Sequence, residues 1–327
     1  MEFHNDTPFA ARFWSGGIRD GVKGGWVVAR ASFRLQRGAN RLRPTHEPWP
    51  IFTEPLESAH GAFPADGHPF RTGCDLVIAG RAASPTPVPA MTVSARVGAF
   101  STELLVIGDR RWRKTIGGEL VASDPEPFTE MPLDWTRAYG GIAAFGGEPA
   151  PHPLNPRGRG FYLSAEQAVD QPLPNVEDRA APVQSWRDGP LPVSWHPVDD
   201  ASSWQVATWA LDRAQRGLGQ AALSELADVT FAAFPGASPP AMILPDLAPR
   251  TEVEVRGLAG GPFGFRVPRL DLQLLAAIGS ESIERPLHYS GLWVLPQEDL
   301  VVLTCLGRFK YALRSGEERR VRLVARS

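Results

Sequence analysis

Gly25-Trp-Val-Val-Ala-Arg-Ala-Ser-Phe-Arg-Leu35 alternates from Val27 onward. Val27, Ala29, Ala31, Phe33 and Leu35 fall on one side, and Arg30, Ser32 and Arg34 on the other. A period of two is that of a β-strand, and a polar alternate side predicts one half-buried against a core. Similar short runs recur at 74–80, 91–97 and 103–108, and again at 251–256, 264–267, 270–278, 291–295 and 300–313. Pro296-Gln-Glu-Asp299 separates the last two as a hairpin turn. Runs of this length and spacing, divided by turn residues, predict antiparallel sandwich-like lobes rather than βαβ units. Only Ala201 to Val229 reads as helical, with Ala207, Ala210, Leu211, Ala214 and Leu218 at three- and four-residue spacings. The expected class is mainly β (α+β), with long ordered loops and a short helical insertion. Within one domain of 327 residues, the expected parts are a β lobe at 1–140, an irregular connection at 141–200, a helical segment at 201–230 and a second β lobe at 231–327.

Composition agrees with that class. The chain has 32 Gly, 32 Pro and 10 Trp, which is many chain breakers beside many large aromatics. Hydrophobic residues make up 43%, enough for a substantial core. Lys+Arg and Asp+Glu number 34 and 36, for a formal charge of -2, without the basic excess of a nucleic-acid binder. Cys74 and Cys305 are the only cysteines, which gives no disulfide framework and fits a reducing compartment. Met1-Glu-Phe-His-Asn-Asp has neither the basic start nor the apolar run of a signal peptide, and no window reaches 18 uninterrupted apolar residues. A cytoplasmic protein without a membrane span is expected.

Between the two β-rich parts lies Pro127-Phe-Thr-Glu-Met-Pro-Leu-Asp-Trp-Thr-Arg-Ala-Tyr-Gly-Gly141, followed after a spacer by Asn155-Pro-Arg-Gly-Arg-Gly-Phe161. Proline fixes φ and glycine reaches positive φ, so this segment reads as a specified irregular path. Residues 36–73 also read as irregular. Pro156, Gly140, Gly141, Gly158 and Gly160 would shape the loop, with Asp109, Arg110 and Trp112 nearby in the chain supporting it. Trp, Tyr and Arg dominate binding hot spots, because they offer area and directional donors together. The candidate partner-binding residues are therefore Trp135, Arg137, Tyr139, Asn155, Arg157, Arg159, Phe161 and Asn175. The competing reading is that the aromatics pin the loop to the sheet while Arg137 satisfies loop carbonyls.

Catalytic and metal chemistry is thinly represented. Gly217-Leu-Gly219-Gln-Ala-Ala222 fits a loose dinucleotide pattern, but helical sequence precedes it where a strand is needed. His60, His68 and Cys74 lack the tight pairing of zinc ligands. No nucleophile elbow, metalloprotease helix or phosphate-binding loop is present. Asp109, Asp134, Glu130 and Glu177 could form a paired-carboxylate site of the glycosidase kind. A β-rich hydrolase or carbohydrate-active protein is thus a second expectation.

These residues carry a resemblance. Asn5-Asp-Thr-Pro-Phe9, Trp26 to Phe33, Cys74 to Gly80, Val106-Ile-Gly-Asp-Arg-Arg-Trp112, Pro127 to Leu133, Arg137-Ala-Tyr-Gly-Gly141, Asn155 to Phe161 and Leu173-Pro-Asn-Val-Glu177 follow in the order seen in DUF2169 proteins. The chain resembles that bacterial family, which is associated with type VI secretion, strongly over residues 5–178. The later half departs from the pattern, chiefly across 201–240. The resemblance implies a cytoplasmic adaptor or chaperone without catalytic residues, cofactor or metal. Its partners would be a secreted effector protein and a VgrG or PAAR-type spike protein, not nucleic acid or membrane. A structural part of the secretion machine is the remaining alternative.

Overall fold

Val22–Gln36 and Leu300–Ala312 pair antiparallel along the full length of the second strand, from Val22 opposite Ala312 to Arg34 opposite Leu300. The structure, a computed structural model, describes residues 1–19, 22–67, 73–198, 237–312 and 318–326. This long pair is the centre of a seven-stranded sheet. Its order is Ile243–Leu244, Cys74–Ile78, His288–Leu295, Leu300–Ala312, Val22–Gln36 and Ala10–Arg19, with Arg41–Pro44 also paired to Val22–Gln36. Cys74–Ile78 runs parallel to His288–Leu295, and the other neighbours are antiparallel.

A five-stranded antiparallel sheet holds Val176–Asp178, Phe100–Ile107, Ala90–Val97, Glu252–Arg256 and Phe263–Arg266. A four-stranded sheet holds Glu2–Asn5, Arg319–Ala325, Leu272–Ile278 and Glu281–Pro286. Side chains from all three sheets meet in one buried cluster. It contains Val27, Ala29, Ala31, Phe33 and Leu35 from the first, Val93, Val106 and Val255 from the second, and Leu274, Val321 and Leu323 from the third. The protein is mainly β with multiple antiparallel sheets, as the period-two runs predict. Every large sheet mixes early and late strands, so the segments 1–140 and 231–327 share sheets instead of each building its own.

The opposite face of the seven-stranded sheet holds the main surprise. The expected solvent side of Val22–Gln36 is covered over most of its length: Arg30 is 0% and Ser32 4% exposed, and Arg34 alone of the three is exposed. Residues 45–66 lie across that face, and Phe52, Phe63, Trp293, Leu295 and Val302 form a second core with Trp49 packed against it. Arg30 Nη2 reaches Asp66 Oδ1 at 2.6 Å, Nε donates to Thr304 Oγ1 at 3.2 Å, and Nη1 donates to the Pro50 carbonyl. The guanidinium also stacks 4.4 Å from the Trp293 ring centroid. A charge inside the protein must be paired and hydrogen-bonded, and here both conditions hold. The region 36–73, expected to be irregular, also contains Arg41–Pro44 and the small hairpin Leu56–Ser58 with Gly61–Phe63.

Among the described residues one short α-helix occurs, Ala165–Ala168, capped by Ser164 accepting from Gln167 N. The expected helical segment 201–230 lies outside the described residues. Pro296–Glu298 does turn the chain, as a single 3-10 turn closed by Asp299 at φ 49°. No helix among the described residues is long and apolar enough to cross a membrane.

Candidate functional site

The segment 127–161, and the connection 141–200 that it enters, are expected to be irregular but hold short strands: Phe128–Pro132, Tyr139–Gly140, Ile142–Phe145, Glu148–Pro151, Arg159–Gly160 and Val176–Asp178. Side-chain amides tie the strands within 127–161 together. Asn155, 3% exposed, donates from Nδ2 to the Trp135 carbonyl at 2.8 Å and the Tyr139 carbonyl at 2.9 Å. Its own carbonyl accepts from Gly141 N at 2.8 Å. That closeness requires glycine. A Cβ at Gly140, where φ is +142°, would sit 2.1 Å from the Asn155 oxygen. Gly141 and Gly160 share the positive φ, and Tyr139–Gly140 pairs in parallel with Arg159–Gly160. The two halves of the loop, Pro127–Gly141 and Asn155–Phe161, are thereby sewn together.

A second amide anchors this assembly to the five-stranded sheet. Asn175 is fully buried; its backbone N–H donates to the Arg137 carbonyl at 2.8 Å, and its Nδ2 donates to the Ile107 carbonyl and to Asp109 Oδ1, both at 3.0 Å. Its Oδ1 accepts from Arg137 at 3.1 Å and from Arg159 at 3.2 Å. The same two guanidiniums approach Asp109 Oδ1 at 3.1 and 3.8 Å. Burial, and then the neighbouring Arg137, lowers the pKa of Arg159. Arg110 pairs with Glu177, whose pKa is raised by burial and drawn back down by that arginine.

The aromatics divide between core and rim. Tyr139 is 5% exposed, donates its hydroxyl to the Asp188 carbonyl at 3.0 Å, and has its pKa pushed up to about 12 by burial. Phe161 and His152 meet it edge-on, and His152 Nδ1 accepts from Leu154 N and Asn155 N at 3.3 and 3.2 Å. Burial pulls the His152 pKa down to about 4, consistent with a neutral ring that accepts at Nδ1. Trp135 packs against Leu154 and Val198 and donates to the Pro197 carbonyl at 2.9 Å. Trp112 is 1% exposed and packs with Tyr139 and Leu173.

Of the eight candidate partner-binding residues, Tyr139, Asn155 and Asn175 are therefore inside. They cannot touch a partner without opening this region, because their polar groups are spent on neighbouring groups of the protein. Arg157 is exposed beside exposed Pro156, Arg137 and Arg159 are half-buried, and Trp135 and Phe161 show only part of their surface. Arg110, Arg111, Arg113, Arg157 and Arg159 line a cleft of about 410 Å³. The carboxylates of the paired-acid reading are each engaged. Glu177 holds Arg110, Asp109 holds Arg137, Glu130 lies 3.6 Å from Arg81, and Asp134 accepts from Thr136 N at 2.9 Å. Among the described residues no group of three His, Cys, Asp or Glu is placed to hold a metal ion.

One surface feature was invisible in the pattern. Ile142–Phe145 and Glu148–Pro151 form a hairpin closed by Gly146 and Gly147, both at positive φ. It carries Ile142 at 62% and Phe145 at 75% exposure, with Leu163 at 42% following the same loop. A Gly-Gly pair between two short runs is the available signal, but four-residue runs rich in Ala and Pro do not show a period.

A model of the family described as "Uncharacterized protein conserved in bacteria (DUF2169)" matches residues 20–305 of the chain. No curated protein and no solved structure matches it.

Proposed function

The chain belongs to the bacterial DUF2169 family, and from that premise we propose that it is a non-enzymatic adaptor. In this reading it binds a type VI secretion effector in the cytoplasm and helps load it onto a VgrG or PAAR-type spike protein. The observation that carries the reading is the construction of the 127–161 segment. Two buried asparagines and a glycine-dictated close approach hold a path of short strands and turns in place, so that its arginines and the Ile142–Phe145 hairpin are presented with little ordering cost on binding. Long loops fixed in this way are usually functional, and pre-organisation is what turns exposed area into affinity. The residues buried by this design serve the display, and the exposed ones would make the contact.

The test is affinity purification of the tagged full-length chain from its own cells, with mass spectrometry of what co-purifies. Recovery of a secreted toxin or a spike protein, lost when Ile142 and Phe145 are both changed to Ser, is the expected result. A preparation containing neither, from cells shown to express both, would overturn the adaptor reading. Stoichiometric retention in purified spike or sheath particles would instead identify a structural component.

A further inference from the structure

Arginine dominates the lining of the cleft beside the loop. Arg110, Arg111 and Arg113 come from the chain just after Phe100–Ile107, and Arg157 and Arg159 from the Asn155–Phe161 turn; with them only Asp109 and Glu126 line the space as carboxylates. The arginines differ in how fully they are engaged. Arg110 is spent on Glu177, with side chains 10% and 2% exposed, and Arg113 pairs with Asp170. Arg159 shares Asp109 with Arg137, two guanidiniums to one carboxylate. Arg111 donates to a neutral acceptor, the Asp170 carbonyl, at 2.8 Å. Arg157 stands 3.6 Å from Glu57, with the two side chains 53% and 74% exposed. Such an exposed pair is weak and exchangeable.

A guanidinium presents a planar fork of donors that matches an oxyanion, and several on one rigid wall favour recognition of negative charge. We propose that this cleft binds an acidic segment of a partner polypeptide, with its carboxylates taken by Arg111, Arg157 and Arg159. A peptide fits better than a nucleic acid. Asp109 and Glu126 sit among the arginines and would oppose an unbroken run of phosphates, whereas carboxylates spaced along a peptide can avoid them. The inference rests on the adaptor reading and names the chemistry of its client's docking segment.

Fluorescence anisotropy of the full-length chain tests it, using a fluorescein-labelled peptide of glutamates spaced by glycine and serine beside its glutamine counterpart. The glutamate peptide should bind at least about tenfold more tightly than the glutamine one, and weaken severalfold between about 0.05 and about 0.3 M salt. The double variant Arg111→Gln, Arg157→Gln should lose about tenfold or more with an unchanged thermal midpoint, since both side chains are exposed. Equal binding of the two peptides, or wild-type binding by the double variant, would overturn the site. So would tighter binding of a single-stranded oligonucleotide than of the glutamate peptide. The two readings separate cleanly. Capture of effector or spike protein that is indifferent to the double variant removes the cleft and leaves the adaptor. Peptide binding without any such capture removes the adaptor and leaves the cleft.

Discussion

Two arginine–aspartate clusters in this molecule use the same chemistry to opposite ends. Arg30 and Asp66, each with a side chain 0% exposed, lock residues 45–66 onto the outer face of the seven-stranded sheet. Arg137 and Arg159 converge on Asp109 with side chains 27%, 25% and 55% exposed, and carry the 127–161 loop. In the first, every donor goes inward and nothing is left for a partner. In the second, buried Asn175 takes the structural share, and the guanidiniums remain at the surface. Burial, not residue type, decides whether an arginine holds the fold together or faces outward.

The largest effect should come from breaking the buried pair. Arg30→Ala would take the guanidinium away from buried Asp66, and removal of one partner of a buried ion pair costs about 3–5 kcal/mol. Urea unfolding should show that loss. Arg30→Met with Asp66→Asn should recover most of it, because Asn can still accept from Phe52 N at the position where Asp66 Oδ2 lies 2.6 Å away. If Arg30→Ala unfolds like wild type, the contrast between the two clusters fails.

Next in size is Gly140→Val. The new side chain would meet the Asn155 carbonyl at 2.1 Å with φ at +142°, a cost of roughly 2–4 kcal/mol in a segment that has no room to retreat. The expected readout is early proteolytic cleavage within 127–161 together with lost partner capture. Intact capture would mean that the loop need not be rigid to bind.

These two positions show what a sequence can disclose. Gly140, Gly141 and Gly160 announce their role because φ above zero leaves few other residues, and Gly158 because of its close contact with Asn155 and the Ala138 carbonyl. The period of two in Val27–Leu35 likewise announces a strand. Arg30 does the reverse. In a period-two pattern an arginine marks the solvent side, and only Asp66, 36 residues on in an apparently irregular stretch, cancels that meaning. Arg81–Val88 hides its strand for a related reason. Pro85 and Pro87 argue against a strand, yet among the described residues this one has a ladder with Phe128–Pro132 and, beyond it, an isolated bridge from Ala82 to Leu258, an arrangement in which missing N–H donors near Pro85 and Pro87 can be tolerated. Asn175 is legible as a candidate and illegible as buried, since one side-chain amide satisfying four neighbours leaves no trace in the pattern.

A smaller effect concerns pH. The folded-state pKa of His152 is depressed to about 4 by burial, below an unfolded value near 6.5, and that of His196 is also lowered, chiefly by burial. A base held neutral in the fold binds fewer protons there than when unfolded. Stability is therefore complete above about pH 6.5 and declines as the pH falls toward 4. Allowing for its partial exposure, His152 should account for about 1–2 kcal/mol of that decline. His152→Asn, which can still accept from Leu154 N and Asn155 N, should flatten the wild-type slope of unfolding free energy between pH 6.5 and 4. An unchanged slope would mean that the ring titrates freely and the loop opens around it.

A small stability effect should here accompany a large loss of binding. Ile142→Ser with Phe145→Ser removes side chains that are 62% and 75% exposed and belong to no buried cluster, so unfolding should shift by no more than about 0.5 kcal/mol per site. An apolar pair held in the open by a tight hairpin is nevertheless the kind of anchor that dominates a protein interface. Partner recovery in the affinity purification should fall about tenfold or more. Trp135→Ala supplies the converse, because its ring packs on Leu154 and Val198 and its Nε1 is donated to the Pro197 carbonyl. It should lower stability while affecting binding only through the loop it supports. If Trp135→Ala abolishes capture in a fully stable protein and the hairpin variant captures normally, the contact surface lies at the Trp135 edge of the loop. Stability and binding would then depend on the same side chains, and the separation between holding and presenting would be lost.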